Sequence, residues 1–285
     1  MRRIATGILL LLLAFSTTPA RAGDLEATFH DVGQGLGVSL RTPSGKWIVY
    51  DMGPDNEAGE RMADDLAARG CTEIAAVVVS HPHLDHLGGF GPIFARFRVH
   101  EVLDAGVAYT TRSYRAFLDA VEREDGCRYR IPSTGDTLSW DPALAVTVLH
   151  SDSTPGREVN NASIVLRIRH NRSTLILTGD AEKEVEAEMV SDWGPRGLHA
   201  GLLQIGHHGS HSSTTAGFLD AVHPETGVIS CGTGNSYHHP HPETIDRLAH
   251  AGVACARTDL EGTIRFRSDG TRWRRVGAGG DRVDP

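Results

Sequence analysis

Three histidines and an aspartate fall within six positions, at His81, His83, Asp85 and His86, between Ser80 and the pair Gly88-Gly89. Imidazole nitrogen and carboxylate oxygen gathered this tightly suit a divalent cation such as zinc or manganese. The stretch follows residues 74–79, a run of β-branched and small residues that reads as a buried strand. In extended backbone His81 and His83 project to the same side and can share one ion. Asp85 and His86 lie past the bend and can reach a second. Gly88-Gly89 suits a tight turn into a helix N-terminus. A surface loop that merely happened to be rich in histidine would have no partners further along the chain.

This loop has such partners, and each stands where a strand-like run stops. Asp51 follows residues 47–50, Asp180 follows 173–177, and His207-His208 follow 202–205. The elements that must carry them are legible in order. Residues 25–30, 38–41 and 47–50 are short strands joined by glycine-rich turns, a meander. Its Gly33-Gln34-Gly35 bend lacks the lysine and the helix of a phosphate loop. Helix signals cover 57–69, 90–97, 113–124, 181–190, 215–222 and 243–251. Further strands are expected over 99–104, 144–150, 164–169, 228–231, 253–256 and 263–267. Glu182 and Glu184 open an acidic helix, where the dipole favours them, and read as a solvated face. The pattern predicts an α/β protein: two sheets face to face with helices outside, four layers in one domain over residues 23–285. The segment from Gly270 reads as a frayed tail.

Residues 1–22 stand apart. Arg2 and Arg3 precede an apolar run, and Ala20-Arg21-Ala22 supplies small residues for cleavage, so a removable secretory signal is expected, leading to a periplasmic or secreted protein without a membrane anchor. The formal net charge is −8, and loss of Arg2, Arg3 and Arg21 would make it more acidic. A broad nucleic-acid-gripping face would be basic, so a polyanionic substrate must be drawn by metals and a local patch. Arginines 265, 267, 272, 274 and 275 offer either such a strip or a wet strand face. Cys71, Cys127, Cys231 and Cys255 permit disulfides in an exported chain, with Cys231 and Cys255 on neighbouring strands; small buried thiols are the alternative.

The order of these residues resembles the metallo-β-lactamase fold, and within it the hydrolase domain at the C-terminal end of ComEC-type DNA-uptake proteins. The matching stretches include Asp31–Gly35 (DVGQG), Thr42–Lys46 (TPSGK), His81–Gly89 (HPHLDHLGG), Asn160–Leu166 (NNASIVL), Leu177–Asp180 (LTGD), Gln204–Ser210 (QIGHHGS) and Asn235–Pro240. The resemblance implies a αββα sandwich and two divalent ions. His81 and His83 would hold one ion, Asp85, His86 and His207 the other, with Asp180 bridging. Asp51, Asp31, Asn160 and Asn161 would stand behind these ligands. Many members of the superfamily place a histidine where this chain has Asn160-Asn161, which leaves the first ion short of an imidazole.

A water shared by two such ions ionises near neutral pH and becomes a nucleophile. Asp85 belongs to that catalytic group, and His239 is expected to donate to the leaving oxygen or contact phosphate. His208 and Ser210 would touch substrate. The leading expectation is a phosphodiesterase or nuclease acting on DNA or a nucleotide-like ester, with an envelope DNA-uptake assembly as possible partner. Hydrolysis of lactones, thioesters or lactams is the second class, and a non-catalytic binding module the third.

Overall fold

The computed structural model describes residues 23–277 and the short strand Gly280–Asp281. The signal expected over residues 1–22 lies outside the described residues. Strands β1 (Leu25–Phe29), β2 (Gly37–Arg41) and β3 (Trp47–Met52) form the antiparallel meander. Helix α1 (Asn56–Ala68) starts where the Asp55 carboxylate accepts the Ala58 N–H at 2.9 Å. The chain returns through β4 (Glu73–Ile74) and β5 (Ala76–Val79), then α2 (Leu84–Leu87) and α3 (Phe90–Arg96). Next come β6 (Arg98–Val99), β7 (Glu101–Asp104), α4 (Arg112–Arg123) and β8 (Arg128–Arg130).

The second half opens with β9 (Thr137–Leu138), β10 (Leu144–His150), β11 (Val165–His170) and β12 (Ser173–Leu177). It continues through α5 (Lys183–Leu198), β13 (Leu202–Gln204), α6 (Ala216–Val222), β14 (Thr226–Ile229), α7 (Pro242–His250) and β15 (Ala254–Arg257). After α8 (Thr258–Glu261), the strands β16 (Ile264–Ser268), β17 (Trp273–Gly277) and β18 (Gly280–Asp281) rejoin the first sheet.

Among the described residues one sheet has the order β18-β17-β16-β1-β2-β3-β5-β7-β8 and the other β15-β14-β13-β12-β11-β10-β9. Period-two alternation sorts their side chains into layers. Ile48 and Tyr50 of β3, with Ala76 and Val78 of β5, face Val146, Leu166, Leu175 and Leu202 of the other sheet. Val49, Met52, Val77 and Val79 point the opposite way, onto α1, α3 and α4. The outer face of the second sheet packs Ile176 and Leu203 against Val185, Met189 and Phe218 from α5 and α6. Three apolar layers therefore separate four structural ones. Full burial of each large aliphatic or aromatic side chain contributes about 1.5–3 kcal/mol.

Parallel register then carries chemistry to one edge. Tyr50 lies beside Val78, so Asp51, at the next step, arrives beside the end of β5, where Ser80 and His81 begin the ligand loop. In the other sheet Leu175 pairs with Leu202 and Ile176 with Leu203, so Asp180 and His207 each lie four residues beyond the last pair. Both sheets deliver their polar strand ends to the same edge.

One expectation is corrected, and one choice left open by the sequence is decided. The segment from Gly270 is not a frayed tail throughout: Trp273–Gly277 pairs with β16, and the Trp273 indole N–H donates to the Thr174 carbonyl of the other sheet at 3.0 Å. All four cysteines are free. Cys255 sits opposite Gly227, four residues short of Cys231 along the neighbouring strand, which is about 13 Å at strand rise and beyond disulfide reach.

Candidate metal centre

Asp51 is the fully buried anchor of the ligand loop. Its Oδ1 accepts the Ser80 N–H and its Oδ2 accepts the Ser80 hydroxyl, each at 2.7 Å. The same Oδ2 accepts the His86 Nδ1–H at 2.7 Å. Burial raises the Asp51 pKa, with His86 and Ser80 pulling against it. Ser80 Oγ in turn lies 3.1 Å from His81 Nδ1, so one carboxylate aligns two imidazoles.

The same device is repeated across the site. His207 Nδ1 donates to Glu182 Oε1 at 3.1 Å, and His208 Nδ1 to the Ser230 carbonyl at 2.9 Å. With Nδ1 occupied, His81, His86, His207 and His208 all present Nε2 inward as a lone pair. Those four Nε2 atoms lie 3.9, 3.2, 3.7 and 3.5 Å from a single oxygen, Asp180 Oδ2. His83 is turned the other way: its Nδ1 meets His81 Nε2 at 3.0 Å, the arrangement of two donors facing one ion.

Asp85, His86, Asp180 and His208 each offer a ligand atom, all within 4.8 Å of one another. His208 therefore takes the place expected of His207 in the group with Asp85 and His86, its Nε2 3.3 Å from Asp85 Oδ2. His207 stands beside Asp180 and is held by Glu182, which also accepts the Ser212 hydroxyl at 2.9 Å. Glu182 is thus no solvated residue. It lies two positions beyond Asp180, a spacing that in extended backbone returns to the same side.

Buried polar atoms without partners test whether a cation fits. His86 Nε2, His208 Nε2 and Asp180 Oδ1 are all buried and unpartnered, against the rule that such atoms are satisfied. The two nitrogens converge on the other Asp180 oxygen, Oδ2, at 3.2 and 3.5 Å, and the donor set is that of zinc or manganese. Electrostatics agree. Burial lowers the basicity of His86, but Asp180, Asp51 and Asp85 outweigh it and hold its pKa well above the usual value. His208 is raised in the same way, by Asp180 and Asp85 against burial. Burial would raise Asp180, yet His86, His208 and His207 keep it well below the ordinary carboxylate range. The pocket is built to hold positive charge.

The third motif divides its work among neighbours. Asn160 lines the cleft with a buried, unpartnered Oδ1. Asn161 faces away: its Oδ1 accepts the Glu182 N–H at 2.9 Å at the start of α5. Ser163, not singled out by the sequence, accepts the Asp180 N–H at 3.1 Å, and the neighbouring Ile164 N–H donates to the Ser80 carbonyl at 2.9 Å. The Gln204 amide braces the same turn through the Gly179 carbonyl and the Thr178 N–H.

Other expected positions are placed differently. Asp31 is exposed and accepts only its own turn's Gly33 N–H at 3.3 Å, so it does not stand behind a ligand. The residue that follows its motif acts through the backbone instead: Leu36 N–H donates to the Asp85 carbonyl at 3.0 Å. Ser210 is buried in the turn, bonded to Ser212 and Thr244, and does not line the cleft. His239 does line it. Burial, then the neighbouring His208, His207 and His241, lower its pKa to about 4, so it is neutral at neutral pH and cannot arrive as a protonated acid. Positive backbone φ at Asp51, His207, His208 and His238 concentrates strain around this one cleft.

The cleft encloses about 330 Å³ between Gln34, His83, Leu84, Asn160, Tyr237 and His239, with the carboxylate cluster at its base. Neither Lys nor Arg is among the described residues lining it. Four of the five C-terminal arginines are ion-paired: Arg265 with Asp65, Arg267 with Glu26, Arg274 with Asp269 and Arg275 with Glu261. They make a wet, neutralised face and not a free basic strip.

Comparison with known proteins agrees with this architecture. The chain is 29% identical over 266 residues to ComE operon protein 3 of Bacillus subtilis, covering 87% of this chain and 34% of that protein. It is 30% identical over 261 residues to competence protein ComA of Neisseria gonorrhoeae, covering 91% of this chain and 35% of the relative. The chain thus spans about a third of the length of these curated relatives. Among solved structures, the diiron β-hydroxylase CmlA from Streptomyces venezuelae shares the fold, with a TM-score of 0.55 at 14% identity over 88% of this chain and 55% of that one. A diphosphatase of the PhnP family does so at a TM-score of 0.50 and 14% identity, over 85% of this chain and 98% of that one. The model of the metallo-beta-lactamase superfamily matches residues 31–233, and to that superfamily the chain belongs.

Proposed function

We propose that this protein is a metal-dependent phosphodiesterase acting, after export, on nucleic acid or a nucleotide-like ester. The observation that carries the reading is Asp180: one buried carboxylate oxygen stands 3.2–3.9 Å from four inward imidazole nitrogens. A carboxylate so placed can be shared between two cations. Likeness to two competence proteins supports nucleic acid as the setting.

His81 and His83 would hold one ion, with the unpartnered Asn160 amide oxygen, which lines the same cleft, a candidate for a further donor. His86, His208 and Asp85 would hold the other, with Asp180 between them and His207 beside it. Bound there, divalent ions supply Lewis acidity and make a water molecule acidic near neutral pH. Asp51, Glu182 and the Ser230 carbonyl keep the imidazole tautomers in place throughout turnover. Neutral His239 offers a single N–H to a substrate oxygen on the cleft wall.

One observation favours a second reading. A cleft with neither Lys nor Arg among its described lining residues gives an anionic phosphate no side-chain cation there, which suits the neutral carbon esters that the same fold supports. Turnover of bis-p-nitrophenyl phosphate and single-stranded DNA with added manganese or zinc decides between them, beside a lactone and a lactam. Phosphodiester cleavage lost in Asp180→Asn supports the proposal. Opening of the lactone or lactam with no phosphodiester turnover under any metal removes it.

A further inference from the structure

One aromatic side chain at the cleft is used by nothing described so far. Tyr237 lines the cleft yet is 63% exposed, the most exposed of its lining aromatics. A single exposed ring is ordinary on a protein surface. This one is not isolated. Its plane lies 24° from that of His239 at a centroid distance of 5.7 Å, and His239 lies 30° from His208 at 6.2 Å. A ladder of near-parallel rings thus runs from the rim to the carboxylate cluster. Leu84, 53% exposed, adds apolar surface to the same cleft.

The loop that presents Tyr237 is clamped. The Asn235 amide donates to the Gly232 carbonyl at 2.9 Å and to the His239 carbonyl at 2.6 Å, and accepts the His239 N–H at 3.0 Å. Gly232 N–H donates to Oε1 of the cleft-lining Gln34 at 3.1 Å. A tyrosine ring on a braced loop has few torsions left to lose on contact, so it binds at little entropic cost. With neither Lys nor Arg among the described lining residues, the metal-facing phosphate and stacking are the sources of affinity that the cleft offers a nucleotide. Base–aromatic stacking tolerates any base but needs an unpaired one.

We propose that Tyr237 is the stacking platform for an unpaired nucleobase next to the phosphate in the cleft, so the substrate is a single strand, a frayed end or a nucleotide ester rather than a continuous duplex. This rests on the phosphodiesterase reading, and the test separates the two. Two esters with the same leaving group differ only in the nucleoside: thymidine 5′-(p-nitrophenyl phosphate) and methyl p-nitrophenyl phosphate. The ratio of their kcat/KM values favours the thymidine ester in the wild type, falls about tenfold in Tyr237→Ala, and is kept in Tyr237→Phe and Tyr237→Trp. Fluorescence anisotropy gives a readout apart from turnover: labelled oligothymidine binds more tightly than an abasic strand of equal length, and Tyr237→Ala erases the difference. A ratio unchanged in Tyr237→Ala, or equal wild-type turnover of both esters, overturns the stacking role and leaves the phosphodiesterase reading intact. Failure of both esters with every metal overturns that reading and this one with it.

Discussion

Asp51 shows how much of the site rests on a residue that would touch no metal. It fixes His86 directly and His81 through Ser80. Asp51→Asn keeps the shape but loses the charge that favours His86 Nδ1–H, so metal affinity is expected to fall about 10–100-fold, measured by competition with a chromogenic chelator. An unchanged affinity would make Asp51 a strand cap and nothing more. Protonation gives a second residue-level expectation. Asp180, Asp51 and Asp85 raise the pKa of His86 against burial, and Asp180 and Asp85 raise that of His208, so a cation competes with protons for these two imidazoles. Metal affinity should therefore rise with pH through the neutral range. Calorimetry in buffers of different ionisation enthalpy should show protons released on binding; absence of release would show the imidazoles already neutral.

At the scale of elements, the glycines after the ligand motif serve packing and not turn conformation. Gly88 has φ −58° and Gly89 φ −83°, values open to any residue. A Cβ on Gly88 would lie 1.9 Å from the Pro54 carbonyl oxygen, and one on Gly89 2.1 Å from that of Met52. Close approach of α2 to the end of β3 is what brings His86 to Asp51. Gly88→Ala should cost about 1–3 kcal/mol by urea denaturation and weaken metal binding as well. Gly217→Ala in α6, where a Cβ meets nothing within 4 Å, should be neutral or stabilising and is the control.

For the whole molecule, stability comes from three apolar layers and not from covalent staples. All four thiols are free, so a reducing agent should leave the melting midpoint unchanged; a drop would reveal a bridge. Strand β17 ties the two sheets together, with Trp273 packed on the inter-sheet core and hydrogen-bonded across to Thr174. Trp273→Ala should cost about 1–3 kcal/mol in thermal or urea unfolding, less than a fully buried tryptophan because the ring is half-buried. A negligible effect would make that strand the dispensable tail its composition suggested. Among the described residues no helix is long and apolar enough to cross a membrane.

The two-sheet plan and the chain order of the ligand residues were readable from residue types alone, because period-two burial and strand-end turns are local. The motif at His81–Gly89 and the carboxylates at Asp51 and Asp180 announced themselves by where their strands stopped. Direction was another matter. His207 and His208 both adopt positive φ, where neither helical nor strand spacing says which way a side chain points, and the Ser230 carbonyl, one residue past β14, holds His208 toward Asp180. Asn160 and Asn161 are equivalent in composition and opposite in role because they are successive residues of one tight helical turn, whose side chains point different ways. Glu182 looked like helix-dipole decoration until the fold brought residue 207 alongside it. Spacing along a chain specifies chemistry within one element; which groups meet between elements is decided by register and packing, and these exist only once the sheets have closed.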